Sequence, residues 1–120
     1  MTLAETLDAA TKQFAPDKSR ATATLVFSGG EFFFDGHFPG VPVLPAIVQI
    51  GLAVHFAARL AGKSLNLAEV TRAVFIKPVG PGVELDLVVE LLPAEAGLTR
   101  VKAELTQAGA RISEFSLRVQ

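Results

Sequence analysis

Residues 36–61, GHFPGVPVLPAIVQIGLAVHFAARLA, decide the fold of this chain. Prolines at positions 39, 42 and 45 each restrict φ and favour an extended preceding residue, so the first half predicts a rigid loop. Pro45 suits the first position of a helix and Gly62 suits its end, so the second half predicts a helix over residues 45–61. Apolar residues cover almost every face of this helix, which is typical of a buried helix.

The chain after this helix is rich in apolar alternation, which is the pattern of half-buried strands. Turn signals divide it at residues 78–82, at residues 93–97 and at Ala108–Gly109. The predicted strands cover residues 70–77, 83–92, 98–107 and 111–119. One long buried helix followed by antiparallel strands predicts an α+β fold, in which a curved antiparallel sheet wraps around the helix.

The chain before residue 36 predicts three shorter elements. Thr2 and Glu5 have the spacing of a capping box, which favours a helix over residues 2–13 that ends before Pro16. Residues 21–28 predict a strand followed by a Gly-Gly turn, and residues 31–34 predict a short aromatic strand.

Composition limits the classes of function. A chain of 120 residues suits one domain over residues 1–120, and its 50% hydrophobic content would sit more easily in an oligomer than in a monomer. The net charge of −1 and the lack of a basic run disfavour nucleic acid as a partner. The absence of cysteine excludes disulfides and thiol nucleophiles. Two histidines without cysteine also disfavour a structural zinc site.

The longest apolar stretch, residues 41–58, is interrupted by two prolines, Gln49 and His55, so we do not expect it to span a membrane. The first residues carry Glu5 and Asp8 but no lysine or arginine, unlike a signal peptide. We therefore expect a cytoplasmic protein.

The motif GHFPG at residues 36–40, with the prolines that follow it, resembles the signature of the β-hydroxyacyl-acyl-carrier-protein dehydratases of the FabA/FabZ type. VFIKPVGPGVEL, residues 74–85, resembles that family's strand–Pro-Gly–strand segment, and the similarity runs from about residue 22 to the end. The run from Val43 to Gln49, VLPxxxQ, is also similar to dehydratase-like proteins of aryl-polyene pathways. The resemblance implies a hot-dog fold and a dimeric enzyme that needs no cofactor and acts on thioesters of acyl carrier protein or coenzyme A.

The resemblance assigns roles to individual residues. The family's catalytic histidine falls on His37, which would remove the α-proton of a 3-hydroxyacyl thioester, because imidazole titrates near neutral pH. The alternative is a loop histidine that bonds only a backbone carbonyl. The residues that the resemblance places in the substrate-binding part are Gly40, Val43, Ala46, Gln49 and Gly51.

Ala46 matches a glycine whose amide polarises the thioester carbonyl. The start of the helix favours this role independently, because a cap at Leu44 leaves the amides of residues 46–48 without a side-chain acceptor.

The family's acid, a Glu or Asp fourteen residues after the histidine, falls on Gly51. Loss of a general acid costs roughly 10²–10⁴-fold in rate. Gln49 could orient a water instead, although a polar residue lining the pocket is the simpler interpretation. His55 follows one helical turn later, about 6 Å along the axis, and is either a replacement acid or a core histidine bonded to the backbone. A third possibility is an acidic paralogue that completes the site in a heterodimer.

Three functions remain open from the sequence. The first is a 3-hydroxyacyl-thioester dehydratase, or a hydratase in reverse, that forms a homodimer or pairs with a paralogue. The second is a non-catalytic hot-dog subunit that binds acyl chains or completes a partner's site. The third is a thioesterase, which is disfavoured because that chemistry normally uses a helix carboxylate and residues 45–60 contain none.

Overall fold

The computed structural model describes residues 1–35 and 40–120. Within these residues, six strands form one antiparallel sheet: β1 (Thr11–Asp17), β2 (Arg20–Val26), β3 (Leu67–Phe75), β4 (Glu84–Glu95), β5 (Leu98–Gln107) and β6 (Ala110–Val119). The strand order is β1-β2-β4-β5-β6-β3, with β1 and β3 at the two ends. Two helices, α1 (Leu3–Ala10) and α2 (Ala46–Ala61), accompany the sheet. The predicted α+β fold, a curved sheet around one long helix, is confirmed.

The core lies between the sheet and one face of α2. Strand residues alternate as the sequence predicts, and inward residues of neighbouring strands face each other, as Leu87 and Leu105 do. The helix contributes a buried stripe at helical spacing: Val48, Leu52, Ala53, Phe56 and Ala57. Burial of this apolar surface, at roughly 25 cal/mol per Å², is the main stabilisation that the fold obtains.

Helix α2 differs from the prediction in two respects. It begins at Ala46 and not at Pro45, because Pro45 has an extended ψ of 147° and is itself the cap residue in place of Leu44. It is also not buried on all sides: the sheet covers one side, and Ile47 on the other is 71% exposed. No helix in the described ranges is long and apolar enough to cross a membrane.

The N-terminal segment contains a strand that the sequence did not reveal. The Thr2–Glu5 capping box is confirmed, but the helix ends at Ala10, and residues predicted as its last turn begin strand β1. β1 lies at the end of the sheet, where Pro16 is tolerated because an edge strand need not donate every backbone N–H. An edge strand exposed on both faces shows no clear alternation, so its pattern does not predict a strand.

The predicted aromatic strand over residues 31–34 is wrong, because Phe32–Phe34 form a 3₁₀ helix. Phe33 and Phe34 are adjacent and both buried, and their rings lie 5.4 and 6.2 Å from that of Phe27. A strand would send adjacent side chains to opposite faces, whereas a tight helical turn directs both into the core.

Two strands, β3 and β4, differ in their bounds from the prediction. β3 covers Leu67–Phe75, so it begins and ends earlier than the predicted 70–77. β4 continues through Pro93 to Glu95 by means of an irregularity in its pairing with β5, and the hairpin turn is reduced to Ala96 and Gly97, with φ of +54° and +79°. The turn at Ala108–Gly109 is confirmed, with positive φ at both residues.

Candidate functional site

An apolar groove of about 520 Å³ lies on the side of α2 that faces away from the sheet. It is enclosed by α1, by α2 and by the segment 64–67 that leads into β3. The apolar side chains along it include Leu3, Leu7, Ile47, Ile50, Val54 and Leu65. Gly51 and His55 also line this groove, so two residues that the sequence placed in the site lie together.

Gly51 lies where helix α1 approaches α2. A Cβ added at Gly51 would lie 3.3 Å from Cδ2 of Leu3, which is closer than an ordinary van der Waals contact. The glycine therefore lets Leu3 pack directly over the helix backbone. The position at which the resemblance expects a carboxylate carries no side chain here and faces a leucine methyl group. Sequence reasoning did not detect this contact.

His55 makes a hydrogen bond to a residue of α1. Its Nε2 lies 2.8 Å from Oδ1 of Asp8, and its side chain is 15% exposed. The ring also packs edge-on against Phe56, with 4.9 Å between centroids. The core-histidine interpretation expected a hydrogen bond to the backbone, but the partner of His55 is the carboxylate of Asp8.

Asp8 is shared between two residues of α2. Nη1 of Arg59 lies 3.3 Å from the same Oδ1 that contacts His55. The guanidinium of Arg59 also lies 4.3 Å from the ring centroid of Phe14, a cation–π contact. The contacts of Asp8 and that of Leu3 join α1 to the outer face of α2 at two places, near His55 and at Gly51.

The first turn of α2 offers backbone donors beside the groove. The first N–H groups of a helix have no intrahelical acceptor, and Ala46 and Ile47 are both exposed here. The expectation of a third free amide is wrong: Val48 N donates to Pro45 O at 3.1 Å, because the first turn tightens. The amides of Ala46 and Ile47 have no backbone acceptor within the described part of the chain.

Gln49, Val43 and Gly40 are not among the described residues that line the groove. Gln49 is buried on the sheet side of α2, away from the face that carries Gly51. Its Nε2 donates to Leu44 O at 3.1 Å, and its Oε1 has no partner among the described residues. Val43 is half-buried, and Gly40 is exposed with a φ of +84°, which favours glycine. His37 lies outside the described residues.

The loop of residues 78–82 holds the segment that enters α2. Leu44 N donates to Val79 O at 2.7 Å, and a Cβ added at Gly80 would lie only 2.8 Å from Pro42 O. The two backbones can approach this closely because glycine at residue 80 has no Cβ. The sequence predicted a turn here, but not its contact with the loop after the GHFPG motif.

The sheet wrapped around α2 defines a protein of the hot-dog class. Its architecture is similar to the dehydratase heterocomplex ApeI:P from Xenorhabdus doucetiae, with a TM-score of 0.75, 24% identity, and coverage of 91% of this chain and 95% of that chain. Residues 12–113 match the ApeI-like family, described as ApeI dehydratase, and the chain belongs to this family.

Curated relatives carry the name 3-hydroxyacyl-acyl-carrier-protein dehydratase FabZ. The protein from Erythrobacter litoralis is 34% identical over 93 residues, which cover 70% of this chain and 62% of the relative. The protein from Pelotomaculum thermopropionicum is 35% identical over 113 residues, which cover 87% of this chain and 81% of the relative. The chain thus spans less than two thirds of the length of the Erythrobacter relative.

Proposed function

We propose that this chain removes water from a 3-hydroxyacyl thioester to give a 2-enoyl thioester. The observation that carries the proposal is the apolar groove on α2, which reaches Ile47 in the first turn of the helix and includes Gly51, the position at which the resemblance expects the family's acid. Its apolar lining suits an acyl chain, and the family of the chain is one of dehydratases. Acyl carrier protein is the proposed carrier, since relatives are named for it, with coenzyme A as the alternative.

In this mechanism His37 takes the proton from C2 of the substrate. The thioester carbonyl oxygen gains negative charge in that step, and the amides of Ala46 and Ile47 at the positive end of α2 are suited to stabilise it. The C3–oxygen bond then breaks, and the hydroxyl leaves as water after it receives a proton. His55 is our candidate for the donor of that proton, because it lines the same groove as Gly51.

We propose that a second copy of the chain completes the site. β3 ends the sheet and carries exposed apolar side chains, including Leu67, Val70 and Phe75, and Ile47 is exposed on α2. β3 contains neither lysine nor proline, whereas β1 at the opposite end contains both. Each strand carries two charged residues, but proline protects an edge from pairing, so the lack of proline and the exposed apolar side chains make β3 the edge that favours a partner strand.

The test is the interconversion of 3-hydroxyacyl and enoyl pantetheine thioesters by the purified chain, compared with His37→Ala. We expect turnover by the wild type and a loss of roughly 10²–10⁴-fold in the variant. Asp35→Asn is a matched control, since Asp35 is an exposed loop residue beside the motif, and it should retain full activity. Absence of turnover by a folded wild-type dimer would contradict the stand-alone enzyme.

A second candidate function is that of a subunit that needs a paralogue. Two observations favour it: the absence of a carboxylate at Gly51, and the fact that a structural relative is a dehydratase heterocomplex. Under this alternative, the chain alone is inactive, and turnover appears when it is mixed with a paralogue that has an acidic residue at the position of Gly51. His37→Ala should abolish the activity of that mixture, because the site would combine this chain's histidine with the partner's acid.

A further inference from the structure

We propose that helix α1 is part of the active site and that Asp8 is a positioning residue, which holds His55 to protonate the leaving hydroxyl. The inference rests on the proposed dehydratase function. Its basis is the 2.8 Å contact between His55 Nε2 and Asp8 Oδ1, beside a position where the expected acid is absent. In sequence the two residues are 47 positions apart.

The positions of the contacts indicate how α1 replaces the missing acid. Leu3 packs at Gly51, and Asp8 contacts His55 one turn further along α2, so the two helices run alongside each other in the same sense. Helical side chains lean toward the N-terminus of their helix, so the His55 ring is directed toward the space over Gly51. A Cβ at residue 51 would meet Leu3 Cδ2 at 3.3 Å but no atom of the His55 ring within 4 Å. Gly51 and the Asp8–His55 pair therefore lie along the same contact between α1 and α2.

The hydrogen bond determines which ring nitrogen can act. Because Nε2 faces the carboxylate, any proton that the ring gives to a ligand must leave from Nδ1. The Asp8 carboxylate holds the ring orientation and compensates its charge when both nitrogens are protonated, as a carboxylate does for histidine in other enzymes. Arg59 contacts the same carboxylate oxygen, so Asp8 is held from two sides.

The proton balance is complete without a further reactant. His37 gains the proton from C2, the C2–C3 double bond forms, the C3–oxygen bond breaks, and Nδ1 of His55 supplies the proton that makes the leaving group water. His37 then loses its proton to solvent and His55 regains one from solvent. The overall reaction is loss of one water from the 3-hydroxyacyl thioester.

The pair makes only a small contribution to stability, which separates positioning from folding. Asp8 is 52% exposed, and ion pairs at such exposed positions contribute little to stability. We therefore expect Asp8→Asn to fold normally and its melting temperature to change little. A large effect of this substitution on turnover would have to come from the position or charge of the His55 ring.

The first experiment measures kcat and KM on 3-hydroxyacyl pantetheine thioesters. We expect His55→Gln to lower kcat by roughly 10²–10⁴-fold and Asp8→Asn by about 10- to 100-fold, with little change in KM. The double variant should be no slower than His55→Gln alone, because Asp8 acts through His55. Asp17→Asn is the matched control: it makes the same change at an exposed residue of β1 outside the groove and should retain kcat. Wild-type kcat in either His55→Gln or Asp8→Asn would overturn the inference.

A second measurement tests the role of Asp8 and His55 without the need for turnover. Absence of turnover by the chain alone would count against the proposed stand-alone function and not against this role. The sequence has two histidines, so His37→Ala leaves His55 as the one imidazole in the NMR spectrum. A 3-hydroxyoctanoyl amide analogue of the pantetheine thioester should shift the Nδ1 signal of His55, and Asp8→Asn should reduce that shift. An Nδ1 signal that does not respond to saturating analogue would overturn the inference.

Discussion

At the scale of single residues, Gly51 is the position that most separates this chain from the pattern it resembles. Glycine inside a helix costs about 1 kcal/mol relative to alanine. The nearest obstacle to a Cβ is the flexible end of Leu3 at 3.3 Å, which can move by a few tenths of an ångström. We therefore expect Gly51→Ala to raise the free energy of unfolding by about 0.5–1 kcal/mol in urea titrations. A lower free energy of unfolding in Gly51→Ala would show that the end of Leu3 cannot move aside for the added methyl group.

Glu31 is a second residue with a specific local role. Partial burial works to raise the pKa of its carboxyl, but hydrogen bonds from the amides of Ser28 and Gly29, at 3.0 and 2.8 Å, lower it below the ordinary 4.5. Because this pKa is lowered on folding, the contribution to stability is present above pH 4.5 and is lost as the pH falls through the lowered pKa.

We expect Glu31→Gln to lower the free energy of unfolding by about 0.5–1 kcal/mol at pH 7, since the turn loses charged hydrogen bonds and solvent screens part of their strength. The difference between wild type and variant should narrow as the pH falls from 4.5 through the lowered pKa, where the carboxyl of the folded wild type becomes protonated. Thermal melts over a pH series measure it. A difference that stays constant with pH would show that the charge of Glu31 is irrelevant to the turn.

At the scale of secondary-structure elements, the long periodic segments were predictable and the contacts between elements were not. Helix α2 and strands β4 to β6 follow from the spacing of their apolar residues, because one face of each is buried in this chain. Strand β1 lacks a buried face, so its sequence contains no such signal. The Asp8–His55 contact joins residues far apart in sequence, and no local pattern encodes it.

The contact between the 78–82 loop and the segment entering α2 gives a prediction at this scale. A Cβ at Gly80 would meet the backbone oxygen of Pro42 at 2.8 Å, and a backbone atom cannot move aside as the end of a leucine can. We expect Gly80→Ala to lower the free energy of unfolding by roughly 1–3 kcal/mol, the usual range for overpacking, in contrast to Gly51→Ala. The same urea titrations measure both variants. Equal changes in the free energy of unfolding for Gly80→Ala and Gly51→Ala would contradict the expectation that a backbone atom yields less than the end of a leucine side chain.

At the scale of the whole molecule, the apolar content of the sequence is divided between a core and an exposed surface. The high apolar content of the sequence favoured an oligomer. The apolar residues on almost every face of α2, however, led to the prediction of a fully buried helix. In the described part of the chain, one face of α2 is in the core, while Ile47 and the apolar residues of β3 are exposed. The pattern of one helix cannot distinguish burial by its own sheet from burial by a second chain.

The exposed apolar residues of β3 predict that this edge of the sheet mediates self-association. Val70 lies on the exposed edge strand β3, and a lysine there would bury an unpaired charge in the proposed interface, at a cost of roughly 3–5 kcal/mol. We expect Val70→Lys to weaken dimerisation at least about 100-fold by sedimentation equilibrium, because each 1.4 kcal/mol is a factor of ten. Ala15→Lys on the opposite edge strand β1 is the matched control and should leave the dimer intact. Dissociation by Ala15→Lys, with Val70→Lys still dimeric, would place the interface at β1 and leave the groove of α2 without a second chain beside it.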